Sequence, residues 1–464
     1  MASALRLDAS WTATAAGGDI VTGDPAREFD GVSIDSRTLS PGALYVALRG
    51  DRFDGADFAG AALAAGAAGL VMPRGRGLRA GTAGTVIEVD DTTRALQAIG
   101  RAVRRASGAV VVAITGSAGK TTTKDVTAAL LERRYRVVRN AGNLNNHIGL
   151  PLSLVDLRWR PEMAVVELGM NHAGEIRTLV QIAEPDVRVW TNVGEAHIGS
   201  FVSMDAIADA KAEILEFATP DTLVVANADD DRVTARVAGF PGRVVTFGLE
   251  RPADVRATSV EDLGVNGSRV RVETRFGVGD FAIPLVGRGN VANVLAAVAV
   301  ALEHGVALEA IVEGVASLRP SAHRGEVLRL AGGVTVIDDS YNANPSAVRR
   351  ALDVLATSAA DRRVAVLGEM LELGAHAVPM HEQVGALAGG LDVLITVGGG
   401  AARALGEAAI RAGMSPAGVR HVATSEEAAE LAASLVRPGD LVLVKGSRGI
   451  RTDRVVDRLV AEHG

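Results

Sequence analysis

Residues 110–124 read VVVAITGSAGKTTTK. An apolar, β-branched run breaks into Gly116 and Gly119 and passes directly into Lys120, Thr121 and Thr122. A buried strand that empties into a glycine turn and then a helix start is a phosphate cradle. The turn's backbone N–H groups point inward, and the helix N-terminus adds partial positive charge. On this reading Gly116, Ser117, Ala118, Gly119, Lys120, Thr121 and Thr122 hold the phosphates of a nucleotide. Lys120 reaches the β- and γ-phosphates as a point charge, and the Thr121 hydroxyl ligates a magnesium ion. The loop is a shortened variant, because Ile114 stands where the eight-residue pattern has its first glycine.

Outward from this stretch, 464 residues suggest about three domains and are ample for several cores. A net charge of −7 leaves no global basic field for nucleic acid or acidic lipid, and an aromatic content of 3% leaves few rings on which bases could stack. No nucleic-acid partner and no membrane insertion are therefore expected. The absence of cysteine excludes disulfides, thiolate metal sites and cysteine nucleophiles, and agrees with a reducing compartment. The first residues, MASALRLDASWTATAAGG, lack a continuous apolar stretch of the secretory type, so a cytoplasmic location is expected. VANVLAAVAVAL at 291–302 falls short of the roughly 20 residues of a membrane span and reads as a buried helix.

The pattern predicts an α/β protein of three domains. Residues 1–107 mix short strands (43–48, 85–89) with an alanine-rich helix over 58–68 and an arginine-bearing helix over 92–106, a small α/β domain closed by Ser107-Gly108. In 108–320, apolar runs at 110–114, 135–138, 163–167, 187–191, 223–226 and 244–247 alternate with helical patterns, the mark of βαβ units and a parallel sheet. Between 255 and 285 the turns Asn266-Gly267 and Gly277-Val278-Gly279 predict antiparallel hairpins at a sheet edge, and a helix from Asn290 follows. After a boundary near 318–321, strands at 334–338, 364–367, 393–397, 419–422 and 441–444 alternate with helices, which predicts a C-terminal Rossmann-like, doubly wound domain over 321–464. In such sheets ligands gather at the carboxyl ends of the strands.

The polar residues do follow the strands. Glu167 ends one run and suits a magnesium ion, with His197 as a second ligand or, equally, a hydrogen-bonded structural histidine. NAGNLNNHIGLP at 140–151 carries four asparagines, among them Asn143, Asn145 and Asn146, and reads either as a polar turn or as a substrate-binding loop. Lys211 lies in a helical pattern that gives no reason to doubt a solvated lysine. In the last domain Asp339, Tyr341, Asn342 and Asn344 crowd a strand end, with Pro345 suited to the following helix's first turn. Arg324 near the junction offers a guanidinium able to bridge phosphates across a cleft, and 445–448 (KGSR) is a further basic loop.

TGSAGKTTT, VVELGMN, TNVGEAHIGSF, GRGNVANVLAA, HRGE, DDSYNANP, LGEMLELG and KGSRGIR occur in this order, and the chain thereby resembles the Mur ligase family over essentially its whole length. DDSYNANP followed by LGEMLELG resembles the branch that joins D-alanyl-D-alanine to UDP-N-acetylmuramoyl-tripeptide. The stretch SIDSRTLSPGALYVALRGDRFDG resembles that branch's UDP-binding domain. The resemblance implies a UDP-binding domain, a central ATPase domain and a C-terminal domain, with ATP and Mg2+ as cofactors and a monomeric chain. It places Lys120 and Thr121 on ATP and magnesium, and it gives Glu167, His197 and Lys211 metal roles, Lys211 after carbamylation. Asn290 and Asn293 fall on the adenine side, Arg324 and Asp339 face the nucleotide from the last domain, and Ser36, Arg37 and Asp54 hold the UDP-sugar. The histidine often found before Asn290 is replaced by Gly289, so ring stacking on adenine is lost there. Folate polyglutamylation, an inactive nucleotide-binding relative and a switch-type hydrolase are the competing readings.

Overall fold

The computed structural model describes residues 4–76, 84–196 and 198–464. Their strands form three sheets, one for each expected domain. The first has five strands in the order Asp19–Thr22, Thr85–Val89, Gly69–Pro73, Leu44–Val46, Val32–Ser33, parallel except for the antiparallel first pair. The long helix Thr92–Ser107 closes this domain. Asp91 caps it by accepting from the N–H groups of Thr93 and Arg94, and Gly108 ends it in the left-handed conformation. Its apolar face (Ala95, Leu96, Ile99, Val103) is buried. Its Gly100 lies so close to Pro151 of the central domain that a Cβ would sit 2.8 Å from the proline Cα. The boundary expected at 107/108 is therefore a helix end welded against the next domain.

The central sheet has nine strands. Val110–Thr115, which feeds the phosphate loop, lies between Val187–Trp190 and Met163–Glu167, all parallel. Beyond Arg243–Gly248 the strands Val255–Asp262, Ser268–Thr274 and Gly277–Ile283 form the expected hairpins at the edge. The helix Arg288–Glu303 is buried on nearly every side, which is why its sequence shows no amphipathic period. The third sheet runs Glu326–Arg329, Thr335–Asp339, Asp440–Lys445, Arg362–Gly368, Val393–Val397, Val419–Val422. Helices Pro345–Thr357 and Gly400–Arg411 pack on one face and Ser425–Leu435 and Asp453–His463 on the other, so the sheet is doubly wound.

Two expectations need correction. The helix expected over 58–68 is a 3-10 turn, Gly55–Phe58, and a short helix, Ala59–Ala64. The chain then turns at Gly66 into the strand Gly69–Pro73, hidden because alanine and glycine carry no period. In the third sheet, Glu326–Arg329 adds an antiparallel edge strand that no alternation announced. No helix among the described residues is long and apolar enough to cross a membrane.

Candidate active site

The phosphate loop is shaped by its neighbours. Gly116 (φ +152°) and Gly119 (φ +83°) hold conformations and spaces that exclude a side chain: a Cβ would lie 1.9 Å from Thr191 Oγ1 at the first and 2.1 Å from Asn293 Oδ1 at the second. The next strand's end braces the turn. Asn192 Oδ1 accepts the Ala118 N–H at 2.9 Å, the Thr191 hydroxyl donates to the Ala118 carbonyl at 2.8 Å, and the Ser117 hydroxyl donates to the Gly194 carbonyl at 3.1 Å. Thr191 and Asn192 were not singled out in sequence as site residues, yet they set the cradle's form. Lys120 Nζ folds back to donate to the Gly116 carbonyl at 2.9 Å. Burial in the cavity wall pushes its pKa down, with the Glu167 charge opposing and the Arg324 charge adding to the shift.

Directly beneath lies a site with the chemistry of a hard cation's ligands. Glu167 is 3% exposed, and its two oxygens accept from the Thr121 hydroxyl at 2.6 Å and the Asn145 amide at 2.8 Å. Asn140 Oδ1 accepts the Glu167 N–H at 3.0 Å and fixes the strand end. A carboxylate and a hydroxyl converging at the foot of a phosphate loop fit magnesium, which takes one or two protein oxygens and completes its shell with water and phosphate. No group of three or more His, Cys, Asp or Glu side chains that could hold a metal exists among the described residues. His197 lies outside the described residues. Asn143 and Asn146 both line the cavity, and the Asn146 side chain also accepts the N–H groups of Ile148 and Gly149.

The solvated reading of Lys211 is wrong. Its residue is 2% exposed on the helix face formed with Ile207 and Ala208, while Asp205 and Asp209 on the other side pair with Arg232 and Arg236. No hydrogen bond or ion pair ties its amine to a described residue. Burial and then the Lys120 charge drive its pKa well below the ordinary lysine value. The amine is thereby biased to its neutral, nucleophilic form.

Facing this wall across a cavity of about 770 Å³ are residues of the C-terminal domain. The Arg324 guanidinium stacks 3.8 Å from the Tyr341 ring centroid, and Arg448 approaches the same ring at 5.4 Å and donates to its hydroxyl at 3.3 Å. Lys445 Nζ pairs with Asp339 at 2.6 Å and donates to the Asn342 carbonyl at 2.8 Å. Asn344 lines the cavity, but its side chain is spent on capping the helix Pro345–Thr357 through the Ala347 N–H at 2.9 Å, with Pro345 in the first turn. Asn290 and Asn293 also line the cavity; Asn293 donates to Asn290 Oδ1 at 2.9 Å and accepts the Thr123 hydroxyl at 3.2 Å. The walls touch where the Ser346 hydroxyl meets Glu195 and where Ser321 donates to Asp125 at 2.6 Å.

Ser36, Arg37 and Asp54 form a separate cluster, on loops that follow the adjacent parallel strands Val32–Ser33 and Leu44–Val46. Arg37 pairs with Asp35 at 2.6 Å and, chiefly by that hydrogen bond, lowers the Asp35 pKa to about 2. Asp54 caps the turn Gly55–Phe58 and pairs with Arg76. Burial, and then the charges of Asp35 and Asp54, raise the pKa of Tyr45. Asp35 and Tyr45 thus share the electrostatics of Arg37 and Asp54, although neither was named from sequence.

The description of the Mur ligase middle domain matches residues 114–301, that of the Mur ligase glutamate ligase domain residues 323–448, and that of the Mur ligase family catalytic domain residues 28–141. A UDP-N-acetylmuramoyl-tripeptide--D-alanyl-D-alanine ligase of Mycobacterium tuberculosis is 37% identical over 477 residues, spanning 93% of this chain and 92% of that protein. A crystal structure of MurF from Acinetobacter baumannii superposes with a TM-score of 0.89 at 31% identity, covering 99% of this chain and 100% of that one. MurF ligase from Thermotoga maritima, solved in complex with ADP, gives 0.83 at 28% identity, covering 93% and 97%.

Proposed function

This chain belongs to the Mur ligase family, and from that premise we infer the reaction of its site: ATP-dependent joining of D-alanyl-D-alanine to the terminal carboxylate of UDP-N-acetylmuramoyl-tripeptide. The product is a peptidoglycan precursor. The observation that carries this reading is the single cavity in which the phosphate loop, the buried Glu167 and the cationic wall of Arg324 and Lys445 converge.

The tripeptide carboxylate attacks the γ-phosphorus of ATP, ADP leaves, and an acyl phosphate results. The amine of D-alanyl-D-alanine adds to the acyl carbon, and the tetrahedral intermediate collapses with loss of phosphate and of the amine proton. Such chemistry needs positioning and charge neutralisation more than a covalent nucleophile. Loop N–H groups of 116–122 and Lys120 hold the β- and γ-phosphates, and Arg324 approaches them from the opposite wall. Thr121, Glu167 and His197 would hold Mg2+, which when bound neutralises phosphate oxygens. Lys211, as a neutral amine, adds to carbon dioxide and loses a proton, and the carbamate supplies a further anionic ligand. Asn290 and Asn293 serve the nucleoside end, Asp339 keeps Lys445 in place, and Asn143, Asn145, Tyr341 and Asn342 border the acceptor's reacting end. Ser36, Arg37 and Asp54 take the UDP-sugar. The proposal includes a cytoplasmic location, where nucleotide substrates of this kind are found, and a monomeric chain, consistent with one chain carrying every group named.

The test is ADP release from ATP with magnesium, omitting each substrate in turn. Release only with the complete set is expected. Equal release without the tripeptide substrate or without the dipeptide overturns the assignment.

A further inference from the structure

The adenine end of the cavity holds a cation that the mechanism does not use. From the phosphate loop the wall runs from Gly119 to Asn293, whose oxygen lies 2.1 Å from where a Gly119 Cβ would stand, then through the 2.9 Å hydrogen bond to Asn290, and so to Gly289. At Gly289 the C-terminal domain arrives: a Cβ there would lie 3.2 Å from both Cδ and Nε of Arg350. Arg350 therefore lies over the surface that glycine leaves bare. Its helix, Pro345–Thr357, turns Ala347, Ala351 and Val354 toward the cavity beside it, and Val286 lines the same cavity from the central domain. The result is a region with apolar walls and one planar cation.

Arg350 is open to the cavity and makes no hydrogen bond or ion pair with a described residue. The carboxylates whose charge reaches it are Asp339, Glu195 and, one turn along its own helix, Asp353, none of which it pairs with, and Glu195 is already engaged by the Ser346 hydroxyl. Surface arginines of this protein are mostly paired, as Arg101, Arg177 and Arg236 are. An unpaired guanidinium in an apolar-walled recess offers its flat face, and a purine ring is the nucleotide's complementary surface.

We propose that Arg350 is a nucleotide-positioning residue whose guanidinium stacks on the adenine ring of ATP, in the space left by Gly289. This rests on the reading of the cavity as the ATP site. Because Arg350 belongs to the C-terminal domain and Gly289 to the central one, the contact makes base binding a force that holds the two domains together over the phosphates.

The test compares wild type with Arg350→Ala, Arg350→Lys and Gly289→Val, using ADP titration by calorimetry, competition by adenosine and by inorganic tripolyphosphate, and steady-state turnover. Arg350→Ala is expected to weaken ADP and adenosine in parallel by about fivefold to tenfold, and to raise the KM for ATP by a like factor with kcat within about twofold. Tripolyphosphate affinity should stay unchanged. Lysine, lacking the plane, should restore little, and Gly289→Val, which displaces the arginine without altering charge, should weaken adenosine as well. Unchanged adenosine competition in Arg350→Ala overturns the proposal. So does an equal loss for tripolyphosphate with full rescue by lysine, which would make Arg350 a phosphate contact. Failure of the wild type to bind ADP would instead remove the ATP-site reading beneath it.

Discussion

The two walls of the cavity hold their charges in opposite ways. On the central wall, Lys120 and Lys211 are desolvated, the Lys120 charge further lowers the pKa of Lys211, and Glu167 accepts hydrogen bonds from neutral donors alone among the described residues. On the C-terminal wall, Arg324 and Arg448 stack on Tyr341, and Lys445 is paired with Asp339. The first arrangement is electrostatically incomplete until phosphates and a cation arrive, whereas in the second Lys445 already has its counter-ion and Arg324 and Arg448 share one aromatic ring. On the proposed reading the difference divides the labour: affinity for the phosphates resides in the central wall, Arg350 adds a contact to the base, and Arg324 contributes once the reacting groups are assembled.

The contrast can be broken most forcefully at Lys120. Lys120→Ala should leave thermal unfolding near that of wild type and reduce kcat by more than about 100-fold, the scale of losing a transition-state charge contact; near-normal turnover would end the assignment of the phosphate loop. Lys211→Ala should cost about 30-fold to 100-fold by the same reasoning. Depleting dissolved carbon dioxide should slow the wild type and leave that variant indifferent, a response that a merely structural lysine would not give. On the opposite wall, Arg324→Ala should lower kcat by about tenfold to 30-fold while ADP affinity, measured by titration, changes little. A collapse of ADP affinity in this variant would erase the proposed division between the walls.

The smallest effect concerns the support of the C-terminal wall. His323, at φ +61°, hydrogen-bonds Asp338 at 2.7 Å, and this bond, against some burial, raises its pKa. Because the folded value lies above the unfolded one of about 6.5, the stabilisation is fully present below that pH and disappears as pH rises through the raised folded value. The difference in melting temperature between wild type and His323→Gln should therefore be greatest near about pH 6 and shrink toward about pH 9. A pH-independent difference would show that the pair contributes through packing alone.

What could be read in advance, and what could not, follows the same division between local and tertiary causes. Strand ends, glycine turns and the Asn344-Pro345 helix start are local signals, and residues 110–124 form the strand, glycine turn and helix start that their pattern predicts, the strand ending at Thr115 and the helix beginning at Lys120. The Lys211 environment is not local: nothing in DAKAE tells that the helix buries its lysine beside Lys120, whose position depends on sheet order. Arg350 drew no reading from the sequence, because only domain docking brings it against Gly289. Asn344 lines the cavity as expected and has a second, local role that the sequence also announces, its Oδ1 capping the following helix.

The most direct test of the central claim, that the tripeptide carboxylate itself attacks ATP in this cavity, is a single-turnover reaction with that carboxylate labelled with oxygen-18. The account predicts that the released inorganic phosphate carries one labelled oxygen, detected as a two-dalton shift by mass spectrometry and abolished in Lys120→Ala. Phosphate free of label, formed while the amide product accumulates, would contradict it.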